Sequence, residues 1–161
     1  MGDVENIEGQ AARKYFTTLF GSDFRRDRDS GGINSLLNYG YIILRSAMAR
    51  AVMGAGLHPT IGIHHKNYLN PMRLVDDLIE PFRAMVDLKV YGLNKQGKTE
   101  LTSEIKKHLV GVLHMEMYSE KGLSNVGVCM QKLAVSLAKY YKKETEELLF
   151  PDFVAPVFMQ G

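Results

Sequence analysis

A chain of 161 residues is long enough for one domain with a sizeable core. Its 20 Lys and Arg against 18 Asp and Glu leave a net charge of +2, which excludes a histone-like polycation while leaving room for local basic patches that hold nucleic acid. Hydrophobic residues at 45% and charged residues at 24% are ordinary for a globular protein, so composition selects no function.

The opening DVENIEG is polar and acidic, unlike a signal peptide, and no apolar run approaches the ~20 residues that span a bilayer. A cytoplasmic protein is expected. A helical pattern begins almost at once, with Ile7, Ala11, Tyr15, Phe16, Leu19 and Phe20 on one side and an end near Gly21. So abrupt a start reads as the edge of a longer protein, with a preceding domain removed. FRRDRDSGG then breaks the periodicity and reads as an exposed, mobile loop. From Ile33 to Met53 small and apolar residues occupy most positions, which predicts a helix buried on several sides and stopped by Gly54 and Gly56. LHPTIGIHH reads as extended or irregular, since Pro59 biases His58 away from helix.

Asn70 and Pro71 form a helix start, Asn as N-cap and Pro in the first turn. The residues that follow fall into two stripes. Leu74, Val75, Leu78, Phe82, Met85 and Val86 make an apolar face; Arg73, Asp76, Asp77, Glu80, Arg83 and Asp87 lie opposite. Pro81 has no amide proton, so it kinks this helix or begins a second one. KVYGLNKQGKTELTS reads as a turn or short hairpin around Gly97. Helical pattern returns at EIKKHLVGVLHMEMYS, ends at Gly122, and resumes from Ser124 to about Leu149. Within it the single Cys129 excludes an internal disulfide framework and a multi-thiolate zinc site, and reads as a small buried hydrophobe. FPDFVAPVFMQG reads as an extended arm on an apolar groove. The fold class expected is all-α, a multi-helix domain with at most one short β-hairpin.

Two groups of residues carry candidate chemistry. Asp77 and Glu80 stand three apart and Asp76 and Glu80 four apart, so either pair shares a helix face. Such a cluster repels itself unless something positive stands by. Arg73 and Arg83 supply that charge in a salt-bridged surface helix; a divalent cation supplies it in a metal site. Carboxylates with one imidazole suit Mg²⁺ or Mn²⁺, and only one of His64 and His65 points easily into such a site, because neighbours in extended chain face opposite ways. Glu8 is a further candidate, although a glutamate in a helix's first turn is favourable in itself. There is no GxxxxGK[ST] loop, GxSxG elbow or HExxH run, so an enzyme here would use metal-assisted chemistry. Arg25, Arg26 and Arg28, Arg45 and Arg50, and Lys139, Lys142 and Lys143 beside Tyr140 and Tyr141 fit phosphate contact and base stacking, or simply solvated surface.

Four words in order, IEGQAARKYF, NSLLNYGYIILRSAMARAVMGAGLHP, IGIHHKNYLNP and LVDDLIEPFR, closely resemble the helical C-terminal domain of the CRISPR spacer-acquisition integrases. The wording is nearest to the form found beside the large single-protein effector nuclease of type II systems. The resemblance is dense from Ile7 to Asp87 and thinner beyond. It implies a metal-dependent DNA integrase and endonuclease that inserts spacer DNA into a CRISPR array by attack of a 3′-hydroxyl on a backbone phosphate. It also implies that Glu8, His65 and Glu80 are catalytic residues holding Mg²⁺ or Mn²⁺, with Asp77 a secondary acidic position one turn earlier and Tyr39 nearby. Asn38, Arg45, His58 and Asn70 match family words and take supporting or DNA-contact roles. The implied partners are DNA (prespacer and CRISPR repeat), the second adaptation protein, the type II effector nuclease, and a second copy in the full-length protein. The family's N-terminal β-rich domain has no counterpart in residues 1–161. The alternatives are a catalytically inactive fragment that binds DNA or serves assembly, and a helical scaffold whose carboxylates form salt bridges.

Overall fold

The computed structural model describes residues 7–64, 69–119 and 122–152, with every side chain among them except those of Glu8 and Ser119. Helix α2, Ile33–Gly54, lies at the centre. Leu36, Leu37, Leu44, Met48 and Val52 along it are fully buried. It packs against α3 (Arg73–Ile79), α4 (Arg83–Lys95), α5 (Ser103–Val110) and α6 (Val126–Tyr141), which is why its apolar residues surround most of the helix. At Gly40 the approach of α4 is closest: a Cβ there would run into the Cγ1 of Val86. Glycine is needed at this position for space, since the backbone itself is ordinary helix.

Helix α1, Ile7–Phe20, packs on α4. The expected apolar stripe is real only in its second half: Ile7 and Ala11 are exposed, while Phe16 and Phe20 meet Phe24 with ring centroids 6.0 and 4.9 Å away. Gly21, at φ 103°, ends the helix in a conformation that only glycine adopts freely.

Pro81 divides the next helical run as expected. Helix α3 gives way to a 3-10 turn at Glu80–Phe82, and α4 follows from Arg83. The apolar face from Leu74 to Val86 is buried throughout. The start of α3 differs from expectation. It begins at Arg73, two residues later than a cap at Asn70 would set it; Asn70 Oδ1 still makes a cap-type bond, accepting from the Met72 amide (3.0 Å), while Nδ2 donates to Asp76 (2.7 Å).

The β-hairpin exists, but not around Gly97. There α4 continues to Lys95, and Gly97, at φ 71°, simply closes the helix end. The hairpin pairs β1 (Glu116–Ser119) with β2 (Gly122–Asn125), inside a stretch expected to be helical. Alternation explains it: Met117 is buried between exposed Glu116 and Tyr118. Asn125 then caps α6, its Oδ1 accepting from Val128 N at 2.9 Å. Helix α6 ends at Tyr141 rather than Leu149, with Lys143 at φ 61° turning the chain. Beyond it Leu149 N donates to the buried Ser136 hydroxyl (3.0 Å) and Asp152 bridges to Tyr118. The expected arm lies, past Asp152, outside the described residues. Cys129 is buried, as read from sequence. Among the described residues no helix is long and apolar enough to cross a membrane. The described residues are mostly helical, with this one hairpin among them.

Candidate functional site

The acidic word and the histidine word are brought together by Asp77. Its Oδ2 accepts from the backbone amides of Ile63 (2.6 Å) and His64 (3.0 Å), which fastens the GIHH loop onto α3 one turn ahead of Glu80. A second tie runs from Leu74 N to Pro59 O at 2.9 Å. Asp77 therefore acts as a loop anchor. His65, next along, lies outside the described residues, as does the side chain of Glu8.

Asp76 and Glu80 have different surroundings. Asp76 takes a two-pronged ion pair from Arg45 of α2, Nε to Oδ1 at 2.7 Å and Nη2 to Oδ2 at 3.1 Å, with Asn70 completing the cluster. The hydrogen bond to Asp76 raises the Arg45 pKa, so this arginine is held in a structural pair. Glu80 keeps 54% of its side-chain surface exposed. Its local partner is Arg83, whose Nε lies 3.1 Å from Oε1 without the angle of a hydrogen bond. Of these three acids, Glu80 is thus the one left half open to solvent, with Arg83 its ion-pair neighbour among the described residues, which suits a ligand position. Among the described residues no three His, Cys, Asp or Glu side chains cluster as a metal site. Of the expected ligand set only the Glu80 side chain falls within them.

Beside Glu80 lies a network that periodicity did not find. Asp87 was placed on the polar face, yet it is 3% exposed. Its Oδ1 accepts from Tyr41 of α2 (2.5 Å) and its Oδ2 from Tyr15 of α1 (2.9 Å). Burial pushes the Asp87 carboxyl up from its usual range, opposed by those two hydrogen bonds and by Arg83 and Arg26. The Arg83 and Arg26 guanidiniums stand 5.0 and 5.6 Å from the centre of the Tyr41 ring.

Arg26 departs from the exposed loop expected of FRRDRDSGG. It turns inward to Asn34 (3.0 Å) and Asn38 (2.6 Å), and Asn38 in turn donates to the Arg28 carbonyl (2.8 Å). Asn34, Asn38, Tyr41 and Arg45 recur at three- and four-residue spacing along one stripe of α2. That spacing was the available signal for Tyr41. Tyr39 falls off this stripe, its ring 5.8 Å from Lys106 Nζ of α5. His58 pairs with Thr60, ring Nδ1 to Oγ1 at 2.7 Å. Arg28, Asn38, Arg45 and Arg83, with Tyr41 and Ile79, border a cleft of about 620 Å³. Asp76, paired with Arg45, and Asn70 also line it, and the further cations Arg28 and Arg83 make it a setting for an anionic backbone. Tyr140 and Tyr141 are exposed on α6, ring centroids 6.4 Å apart.

The family model described as CRISPR associated protein Cas1 matches residues 1–125. The chain is 40% identical over 156 residues to the CRISPR-associated endonuclease Cas1 of Neisseria meningitidis serogroup C (strain 8013), covering 95% of this chain and 51% of that one. It is 38% identical over 121 residues to a CRISPR-associated endonuclease Cas1 of Francisella tularensis subsp. novicida (strain U112), covering 68% and 38%. The chain thus spans about half, or less, of the length of these curated relatives. Among solved structures, a casposase bound to integration product superposes with a TM-score of 0.74 at 27% identity, over 88% of this chain and 48% of that one.

Proposed function

The chain belongs to the CRISPR-associated Cas1 family, and on that premise we propose that residues 1–161 are the helical catalytic part of a DNA integrase and endonuclease. The observation that carries the reading is the anchoring of Ile63 and His64 on Asp77, which ties the chain just before His65 to α3 one turn ahead of Glu80. Glu8, His65 and Glu80 are the residues that would hold Mg²⁺ or Mn²⁺, and their carboxylate and imidazole donors suit those ions. The half-exposed Glu80 fits such a role. When bound, the ion supplies Lewis-acid stabilisation of charge at a backbone phosphate.

The protein's own groups do the rest. Arg28 and Arg83 along the cleft, beside the Arg45–Asp76 pair, draw in and orient the phosphate backbone. Asp77 holds the loop that carries His65. A DNA 3′-hydroxyl attacks in integration and water attacks in nuclease action, so no protein nucleophile is required. The similar casposase structure, with its integration product, supports DNA as partner. The second adaptation protein, the type II effector nuclease and a second copy are proposed as further partners of the full-length protein, as the family resemblance implies.

The test is strand transfer by the full-length protein in Mn²⁺. Glu80→Gln and His65→Ala should each lower activity by more than the ~10–100-fold that loss of a supporting partner costs at metal sites, with duplex binding retained. Wild-type activity in either variant overturns the ligand assignment. Unaltered DNA binding by a wild type that shows no metal-dependent reaction would instead establish an assembly module.

A further inference from the structure

Asp87 joins three helices through one carboxylate. It belongs to α4, one oxygen is held by Tyr41 of α2, and the other by Tyr15 of α1. A buried carboxylate usually needs a paired cation or a full set of hydrogen bonds. Asp87 has one hydrogen bond on each oxygen, with Arg26 and Arg83 set over the ring of Tyr41 instead of on the carboxylate itself. An apolar side chain in its place would still pack, but it would not fix how α1 is rotated and where it sits along α4. Hydrogen bonds to two hydroxyls from separate helices do both, because each is satisfied over only a narrow range of distance and angle.

The positions of the bonded residues give this staple a use. Glu8 stands seven residues before Tyr15, and Glu80 stands seven residues before Asp87. Seven residues are close to two turns of helix, so the Glu8 position shares a stripe of α1 with Tyr15, while Glu80 is joined to Asp87 through the 3-10 turn and the first turn of α4. Glu80 begins the 3-10 turn that leads into α4, and Glu8 lies in the first turn of α1. Whatever rotation and offset the bond imposes are passed to both positions. A second arm reaches Glu80 directly: Tyr41 accepts Arg83 over its ring, and Arg83 Nε lies 3.1 Å from the Glu80 carboxylate.

We propose that Asp87 is a positioning residue, which through Tyr15 and Tyr41 aligns the helix carrying Glu8 with the turn carrying Glu80 so that both glutamates serve one cation. This rests on the cation site proposed above and adds to it the device that assembles its two helical parts. Removing the Tyr15 hydroxyl should leave α1 packed through Phe16 and Phe20 but free to rotate. Cation affinity then falls without loss of fold.

The experiment uses the full-length protein as wild type, Tyr15→Phe, Asp87→Asn, their double variant and Glu80→Gln. Calorimetry measures Mn²⁺ affinity, and amide hydrogen exchange without metal reports on residues 9–20. Tyr15→Phe and Asp87→Asn should each weaken Mn²⁺ binding about tenfold, within the ~10–100-fold range for supporting partners of metal ligands. The double variant should be little worse than Asp87→Asn alone, as expected where the Tyr15 hydroxyl acts only through Asp87. Exchange should quicken in α1 and stay unchanged in α2 and α6. Wild-type Mn²⁺ affinity in both single variants, with binding lost in Glu80→Gln, overturns the positioning role while leaving the cation site standing. Equal binding by Glu80→Gln and wild type removes the cation site, and the proposal with it.

Discussion

Tyr15 and Tyr41 each meet a buried carboxylate, and burial together with the nearby charge of Asp87 pushes both hydroxyls well above the ordinary 10.0. A group whose pKa is raised on folding contributes stability that is complete below its unfolded value and declines as pH rises past it. The unfolded chain releases these protons from about pH 10, so it is favoured above that point. Absorbance titration of the eight tyrosines should therefore show Tyr15 and Tyr41 still protonated in the native protein at pH 11 and released on unfolding. Tyr15→Phe should flatten the fall of melting temperature across the same alkaline range. Normal ionisation of all eight in folded protein would contradict the network. The sequence placed Asp87 among the solvated acids because spacing of three and four compares only residues on one helix. Its partners are 46 and 72 residues away.

Among the elements, the contact between α2 and α4 is the most demanding. Gly40 faces Val86 with no room for a methyl group, and the next residue, Tyr41, must reach Asp87 one position past Val86. Gly40→Ala gains helix propensity yet forces the helices apart, so it should destabilise by about 1–3 kcal/mol, the usual cost of overpacking a core. Chemical denaturation measures this, and a stabilised variant would show that the interface relaxes freely. The break at Pro81 was legible because a missing amide proton is a local property. The hairpin was not: MEMYS and GLSN have apolar spacing compatible with either period, and only pairing across Ser119 and Gly122 selects strand. Asn70 likewise keeps a cap-type bond to the Met72 amide, but the helix proper starts only at Arg73, and the side chain's remaining bonds to Arg45 and Asp76 come from tertiary packing.

For the whole molecule, a cation that joins α1, the GIHH loop and the α3–α4 junction should stabilise the fold by linkage. At a hundredfold excess over the dissociation constant the gain is about 2.7 kcal/mol, which corresponds to roughly 5–10 °C in melting temperature for a domain of this size. Thermal melts of residues 1–161 with and without Mn²⁺ check this. Glu80→Gln should lose the shift, and an unshifted wild type at millimolar Mn²⁺ would argue for a salt-bridged scaffold.

The sequence by itself determined the central helix from Ile33, the buried face from Leu74 to Val86, the division at Pro81, and the family, because each is written in residues close together along the chain. It also narrowed the candidate acids to Asp76, Asp77 and Glu80, with Glu8 a fourth. Which acid does what was decided only by the tertiary structure. Asp76 is given to Arg45 and Asp77 to the loop amides, which leaves Glu80 half open to solvent. The carboxylate at Asp87 became the staple of three helices. The reason is physical: a carboxylate's role depends on the donors that reach it, and here most of those donors come from other parts of the fold.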